Sequence, residues 1–512
     1  LGARSLDAGD PTAAAILDAL SMIASDQALG DQVEELVDAR TDAPHALHAA
    51  FEGYREMLTQ AGGHLAERAQ DIADIRDRVI AVALGLPMPG IPDPGHPFVL
   101  AAHDLSPADT VGIDTRRVLA LVTEGGGPTS HTAILARSLG LPCVVACPGV
   151  MGVADGTMVA VDAEAGLVEA GIDPDREAEL RHRSQQIEAD LAAVDGPGRT
   201  ADDHPIALLH NIGAVADLDR AADEHFEGVG LFRTEFLFLD RTDAPSFDEQ
   251  RAAYRAVLSA ARGRKVVVRT LDAGADKPLP FVNLTPGPNP ALGLRGVRIA
   301  RYAPEILTVQ LAALAAAASD VERADAWVMA PVVATPDEAA WFVQHARNAG
   351  LGTVGVMIEV PAAALRAREI LAEVDFVSVG TNDLGQYTFA ADRMDGALSA
   401  LLDPWQPALL DLIARCADAG RALGRPVGIC GESAADPALA PVFAGMGITS
   451  LSMSARAIPL VRAAARSLSE CEHVAKLVLS AGTADAAREL AVRPPEPPRP
   501  AGSHPDPPGD GR

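Results

Sequence analysis

Two sets of residues in this sequence of 512 have the types and spacing to do chemistry. The first is a single run, Gly125-Gly126-Gly127-Pro128-Thr129-Ser130-His131-Thr132, leading into Ala133-Ile134-Leu135-Ala136-Arg137. Glycines let a backbone approach a ligand closely, and Thr129 or Ser130 can cap a following helix whose first free N–H groups favour an anion. A phosphate suits that place. His131 at the helix start is a candidate nucleophile whose phosphoryl adduct those N–H and hydroxyl groups would stabilise. Read alone, one of 13 histidines in a glycine-rich turn is more often an ordinary polar side chain.

The second set is scattered, and its members share a position relative to apolar runs. Arg233 follows one run, Arg269 ends another, Glu359 follows a third, Asn382 and Asp383 follow a fourth, and Cys430 ends a fifth. Arg233, Arg269, Arg295 and Arg393 can clamp phosphate and carboxylate oxygens in bidentate fashion. Glu359 with Asp383 can hold a Mg²⁺ that completes charge neutralisation. That chemistry fits an acidic phosphorylated metabolite. Cys430 reads equally as a buried core thiol and as a proton donor beside the metal. Taken singly, each arginine is more commonly a surface ion pair, and Glu359 or Asp383 a helix cap. Only a shared face raises the functional reading above these.

The runs that position this second set are Ile206 to Leu209, Val229 to Phe232, Val266 to Arg269, Trp327 to Ala330, Val354 to Ile358, Phe376 to Val379, Val427 to Cys430 and Leu451 to Met453. Eight β-rich runs alternating with helical patterns between about 204 and 470 have the size and order of a (β/α)₈ TIM-like barrel. In a barrel the strand ends converge on one face; a doubly wound sheet is the main structural rival. The barrel is bounded as 204–490.

The first set needs a smaller scaffold. After the proline and glycine rich stretch Leu86 to Pro97 come short strand-like runs at Phe98 to Ala102, Val118 to Val122, Val144 to Ala146 and Met158 to Asp162, with a helix at Thr132 to Leu139. This predicts a small α/β domain over 98–168. A polar linker helix follows at 174–193, within a linker of 172–200. Before it, residues 11–84 carry apolar positions at helical spacing and predict a helical hairpin or small bundle, bounded as 1–85. Residues 1–80 hold 15 acidic and 6 basic side chains, which reads most simply as a solvated surface. Pro494 to Arg512 hold eight prolines and predict a disordered tail over 494–512.

Bulk properties exclude several classes. A formal charge of −28 argues against a nucleic-acid partner, which needs clustered Lys and Arg. Five cysteines form no Cys-x-x-Cys pair and agree with a reducing compartment. No stretch approaches the roughly 18 uninterrupted apolar residues of a membrane span, and Leu1 to Asp10 lack a basic signal-peptide start. A cytoplasmic protein is expected. The start at Leu1 rather than Met, inside a helical pattern, reads as a fragment.

At both sets the sequence resembles enzyme I of the bacterial sugar phosphotransferase system, the phosphoenolpyruvate-protein phosphotransferases. The runs that carry the resemblance are GGPTSHTAILARSLGLP around His131, GVGLFRTEFLF around Arg233, VVVRTLDAGADKPLP around Arg269, NPALGLRGVRIA around Arg295, GVMIEVPAAA around Glu359, SVGTNDLGQYTFAADR through Arg393, and GICGESAAD around Cys430. Similarity runs from about 10 to 490. It implies that His131 is phosphorylated, supported by the Thr110 hydroxyl and by Thr129 and Ser130. It further implies that Arg233, Arg269, Arg295, Asn382, Asp383 and Arg393 bind phosphoenolpyruvate, with Lys277 a weaker addition. Glu359 and Asp383 match Mg²⁺ ligands, and Cys430 matches the acid that protonates the enolate carbon. The acidic helices of 1–85 match the docking surface of the small histidine phosphocarrier protein HPr, which replaces the simple reading of their charge. The 98–168 domain is then a swivelling phosphohistidine domain, and a homodimer through the barrel is implied.

Pro128 stands where the family commonly has Arg, and Gly385 and Ser433 replace residues usual in their motifs. The resemblance also places the family's first strand and the start of its first helix before Leu1. Phosphoenolpyruvate synthases and pyruvate phosphate dikinases share the histidine domain and barrel. They need an added ATP-binding domain, for which this sequence has neither room nor a Gly-rich loop with a following lysine. A catalytically idle regulatory homologue is the rival from another class; every expected catalytic position is filled.

Overall fold

The structure is a computed structural model that describes residues 27–61, 69–86, 90–105, 113–126, 132–133, 136, 141–163, 166–219, 226–238, 241–274, 279–282, 289, 291–393 and 396–492. The chain divides into two compact units, residues 1–182 with 394–399 and residues 183–393 with 400–512.

Among the described residues, the first unit opens with helices Gln27–Asp38, Ala43–Ala61 and Ala69–Leu84. Their apolar faces meet in a small core of Leu29, Ala50, Phe51, Ile72 and Ile75. Strands β1 (Phe98–Ala102), β2 (Val118–Thr123) and β3 (Cys143–Val144) then form a parallel sheet. An antiparallel pair follows, β4 (Val159–Asp162) with β5 (Leu167–Ala170). The predicted third strand is shifted: Cys143 and Val144 pair with β2, and Ala146 lies in a bend with positive φ, outside the ladder. Of the helix expected at Thr132 to Leu139, residues Thr132, Ala133 and Ala136 are helical, and the others lie outside the described residues. The expected linker helix is present as Pro174–Ala193. The proline-rich tail lies outside the described residues.

The second unit is a closed barrel of eight parallel strands, β6 (Ala207–Ile212), β7 (Gly228–Arg233), β8 (Lys265–Arg269), β9 (Asp325–Ala330), β10 (Thr353–Ile358), β11 (Phe376–Val379), β12 (Val427–Ile429) and β13 (Ser450–Met453), with β13 pairing back to β6. Strand order follows chain order, which rules out the doubly wound alternative. Side chains alternate across each strand. Val266 and Val268 of β8 therefore join the large outer core between strands and helices, whereas Val267 packs inside the barrel with Leu231, Met329, Met357 and Phe376. Arg269, two residues beyond Val267, shares the inner side.

Helices of this unit start on clear signals. Ser246 and Glu249 form a reciprocal capping box for helix Phe247–Ala260. Proline occupies the first turn of Pro304–Asp320, Pro336–Asn348, Pro361–Leu365 and Pro407–Leu423, where its missing N–H costs nothing. Among the described residues, no helix is long and apolar enough to cross a membrane.

Candidate active site at the C-terminal barrel face

Because all eight strands are parallel, their C-terminal ends open on one face. Arg233 and Arg269 are the last residues of β7 and β8, paired with each other in register. Arg233 thus ends its strand, which runs one residue further than the sequence suggested, because the ladder to β8 continues through it. Glu359 follows β10. Asn382 and Asp383 lie in the first turn of helix Thr381–Phe389, directly after β11. Cys430 follows β12 and does not end it, since the strand stops at Ile429; the Cys430 N–H still donates to the Val379 carbonyl at 3.1 Å.

The arginines are held by carboxylates: Asp383, already a candidate, and Glu235 and Asp272, which sequence reasoning missed. Arg269 Nη2 donates to Glu235 Oε1 at 3.0 Å, and its Nη1 lies 3.0 Å from Asp272 Oδ2. Arg295 Nε lies 3.3 Å from Asp272 Oδ1, and its Nη2 donates to Asp383 Oδ2 at 3.2 Å. Arg393 Nη1 is 3.2 Å from Asp383 Oδ1. Arg269, Arg295, Glu235, Asp272, Glu359 and Asp383 are all buried, so each charge depends on its neighbours. Glu235 also accepts the Asp272 N–H at 3.0 Å, which ties the two carboxylates into one support. A signal for both was present: Glu235 stands two residues after Arg233, and Asp272 three after Arg269, in turns leaving the strands.

Proton affinities follow from this crowding. Burial works against the Arg269 charge, but Glu235, Asp272 and Glu359 overcome it and raise its pKa. Arg233 is solvent-exposed at its edge yet ringed by protein atoms; that crowding, then the Arg269 charge, lowers its pKa. Burial, then the charges of Asp272 and Asp383, pushes Glu359 up to about 8. Burial pushes the Cys430 thiol up to about 11, against the pull of a Ser378 hydrogen bond and Arg269. The thiol is therefore protonated at neutral pH.

The fit of Mg²⁺ rests on Glu359 and its surroundings. Glu359 Oε1 accepts the Val332 N–H at 2.7 Å, while its other oxygen sits where a Cβ on Gly380 would come within 2.9 Å, so only glycine leaves that side open. A divalent cation there would relieve the clustering of three carboxylates. Among the described residues no group of three or more His, Cys, Asp or Glu side chains is placed to hold a metal ion. Mg²⁺ commonly takes one or two protein carboxylates beside phosphate and water, and Glu359 and Asp383 are the two that would hold it here.

Asn382 is oriented by its own oxygen, which accepts the Glu432 N–H at 2.8 Å and so turns the amide N–H₂ away. Ser433 shares a 2.8 Å hydrogen bond with Thr381, a second link between the loops carrying Asp383 and Cys430. Tyr387 donates to the Ala291 carbonyl at 2.6 Å and pins the segment leading to Arg295.

The histidine set is only partly visible. Thr110, Thr129, Ser130 and His131 lie outside the described residues, as does Lys277. Thr132, buried, donates to Asp104 Oδ1 at 2.8 Å and so anchors the residue after His131 to the loop after β1.

Comparison with known proteins adds lineage to this geometry. The PEP-binding domain of PEP-utilising enzymes matches residues 188–470, the mobile domain 94–166 and the N-terminal domain 2–68. A phosphoenolpyruvate-protein phosphotransferase of Streptomyces coelicolor is 51% identical over 485 residues, covering 94% of this chain and 87% of that one. The chain belongs to the PEP-utilising enzyme family. Within that family it falls with enzyme I: a phosphoenolpyruvate-protein phosphotransferase of Haloferax volcanii is also 39% identical over 494 residues, covering 94% of this chain and 84% of that one. Like those relatives, this PEP-utilising family member is a transferase.

Proposed function

We propose that the chain takes the phosphoryl group of phosphoenolpyruvate onto His131, releases pyruvate, and passes the group to the phosphocarrier protein HPr, the first step of sugar uptake by the phosphotransferase system. The observation that carries this reading is the convergence of Arg233, Arg269, Arg295 and Arg393 on one barrel face with Glu359, Asp383 and a protonated Cys430. Such a face matches a ligand with phosphate at one end, carboxylate at the other and a carbon between them that must gain a proton.

The arginines and the Asn382 amide orient the substrate and offset its charge. Mg²⁺, held by Glu359 and Asp383, would supply further neutralisation of the phosphate oxygens. Neutral His131 attacks phosphorus; the P–N bond forms as the P–O bond to the enol oxygen breaks. The enolate then takes the Cys430 proton at C3: the C–H bond forms as S–H breaks, the C–O bond closes to a carbonyl, and the thiolate regains a proton from water. Ketonisation makes enolpyruvate an excellent leaving group, so imidazole can take the phosphoryl group reversibly.

We assign 1–85 to carrier docking, 98–168 to the phosphohistidine domain, 172–200 to the linker and 204–490 to the substrate barrel, which fits a homodimer contact of this unit. His131 must visit both barrel and carrier, so the 98–168 domain swings about the linker. Superimposable small-angle scattering profiles with and without phosphoenolpyruvate and Mg²⁺ would count against that motion. The test of function is mass spectrometry after mixing with phosphoenolpyruvate and Mg²⁺ at alkaline pH. An acid-labile phosphate on His131 is expected, absent in His131→Ala. Label entering only from ATP would overturn the reading in favour of a dikinase.

A further inference from the structure

Cys430 is gripped by an element nowhere near it in sequence. Asn211 lies in β6, on the inner side with Leu209, opposite Leu208 and Ile212 of the outer core. Its Nδ2 donates to the Cys430 carbonyl at 3.2 Å and to the Ser452 carbonyl at 3.1 Å, while Ser452 Oγ donates to Asn211 Oδ1 at 2.6 Å. Two backbone carbonyls can be met only by the amide N–H₂, so the network itself fixes which way the amide points. On the far side the Cys430 N–H is held by Val379, and the next residue, Gly431, leaves no space: a Cβ there would meet Thr381 Oγ1 at 2.0 Å and Asn382 Oδ1 at 2.9 Å. Both peptide groups of Cys430 are thus fixed, one by β11 and the other by Asn211.

We infer that Asn211 is a positioning residue that aims the Cys430 thiol at one face of the enolate. This rests on Cys430 being the acid of the proposed reaction. General acid catalysis depends on placement within a fraction of an ångström, and a misplacement of about 1 Å costs on the order of a hundredfold. The arginines that bind the substrate hold none of these bonds, so loss of Asn211 affects the proton step selectively.

The experiment uses the full chain with Mg²⁺ and phosphoenolpyruvate stereospecifically labelled with deuterium and tritium at C3, reading kcat, KM and the chirality of the pyruvate methyl group. Asn211→Ala, and the isosteric Asn211→Asp that cannot donate, are expected to lower kcat about tenfold to a hundredfold with KM changed less than about threefold, and to scramble the methyl group. Ser452→Ala, which removes one bond to Asn211, is expected to give a smaller effect of the same kind and serves if the Asn211 variants fail to fold. In a Cys430→Ala background, Asn211→Ala is expected to add nothing further. A KM rise matching the kcat loss, retained chirality, or an undiminished loss without Cys430 would each overturn the inference. Full rate and chirality in Cys430→Ala alone would instead strike at the role of Cys430, and the inference would fall with it.

Discussion

At the scale of single residues, Asp272 stands between Arg269 and Arg295 and fixes both. Asp272→Asn leaves two buried guanidinium groups short of a counter-charge. Breaking such a pair typically costs about 3–5 kcal/mol. The variant is therefore expected to melt several degrees lower and to bind phosphoenolpyruvate about tenfold more weakly by calorimetry; wild-type affinity would refute the positioning role. Glu359 predicts a pH dependence. Its folded pKa of about 8 lies above the model-compound value of 4.5, so between those values the folded state binds more protons than the unfolded one. Metal-free protein should then lose stability as pH rises from about 5 to 8, and Mg²⁺ should flatten that slope. A melting temperature of the metal-free protein that rises over this range would contradict it. Arg233, Arg269, Glu359, Asp383 and Cys430 stood out as candidates because their types pair with a strand-end position, whereas Arg295 and Arg393 lie away from strand ends. Glu235, Asp272 and Asn211 did not stand out, since an acidic side chain after a strand, or an amide within one, looks the same in sequence whether it braces a neighbour or faces water.

Among elements, the barrel strands were legible because each is an apolar β-rich run closed by a turn; Phe376–Val379 agrees at both ends. Ends missed by a residue or more, as at Cys430 and Arg233, reflect ladder hydrogen bonds to neighbouring strands, which no single run encodes. Tight spacing inside the barrel was equally hidden. A Cβ on Gly355 of β10 would sit 2.5 Å from the Phe376 ring, whose centroid lies 4.7 Å from that of Trp327 with the planes tilted by 50°. Gly355→Ala should destabilise by about 1–3 kcal/mol through overpacking, measured by denaturant unfolding, with KM for phosphoenolpyruvate unchanged. An unchanged unfolding midpoint would show that the ring yields freely.

For the molecule as a whole, two compact units each with a core of its own predict two unfolding transitions in calorimetry. The first unit, with small cores in helices and sheet, should melt first. Phosphoenolpyruvate with Mg²⁺ should raise chiefly the barrel transition, because a ligand stabilises the unit that binds it. One cooperative transition, or an equal rise in both, would count against independent units. The alternation of strand and helix announced the barrel in the sequence. The split at His182 falls within the linker expected at 172–200, inside the continuous helix Pro174–Ala193, although no proline or glycine marks the point itself.

The seam between β13 and β6 joins residues 241 apart, as Asn211 and Ser452 show. On the ribosome this means that every charged group of the mouth is translated before the strand that closes the ring. At about 5–20 residues per second, a nascent chain holds β6 with a bare edge, and Glu235, Asp272 and Glu359 in an unfinished wall, until Ser450–Met453 emerges. Translation that stops short of Ser450 leaves an open sheet carrying unburied valines, and the quality-control machinery of the cell meets that species rather than a smaller working enzyme.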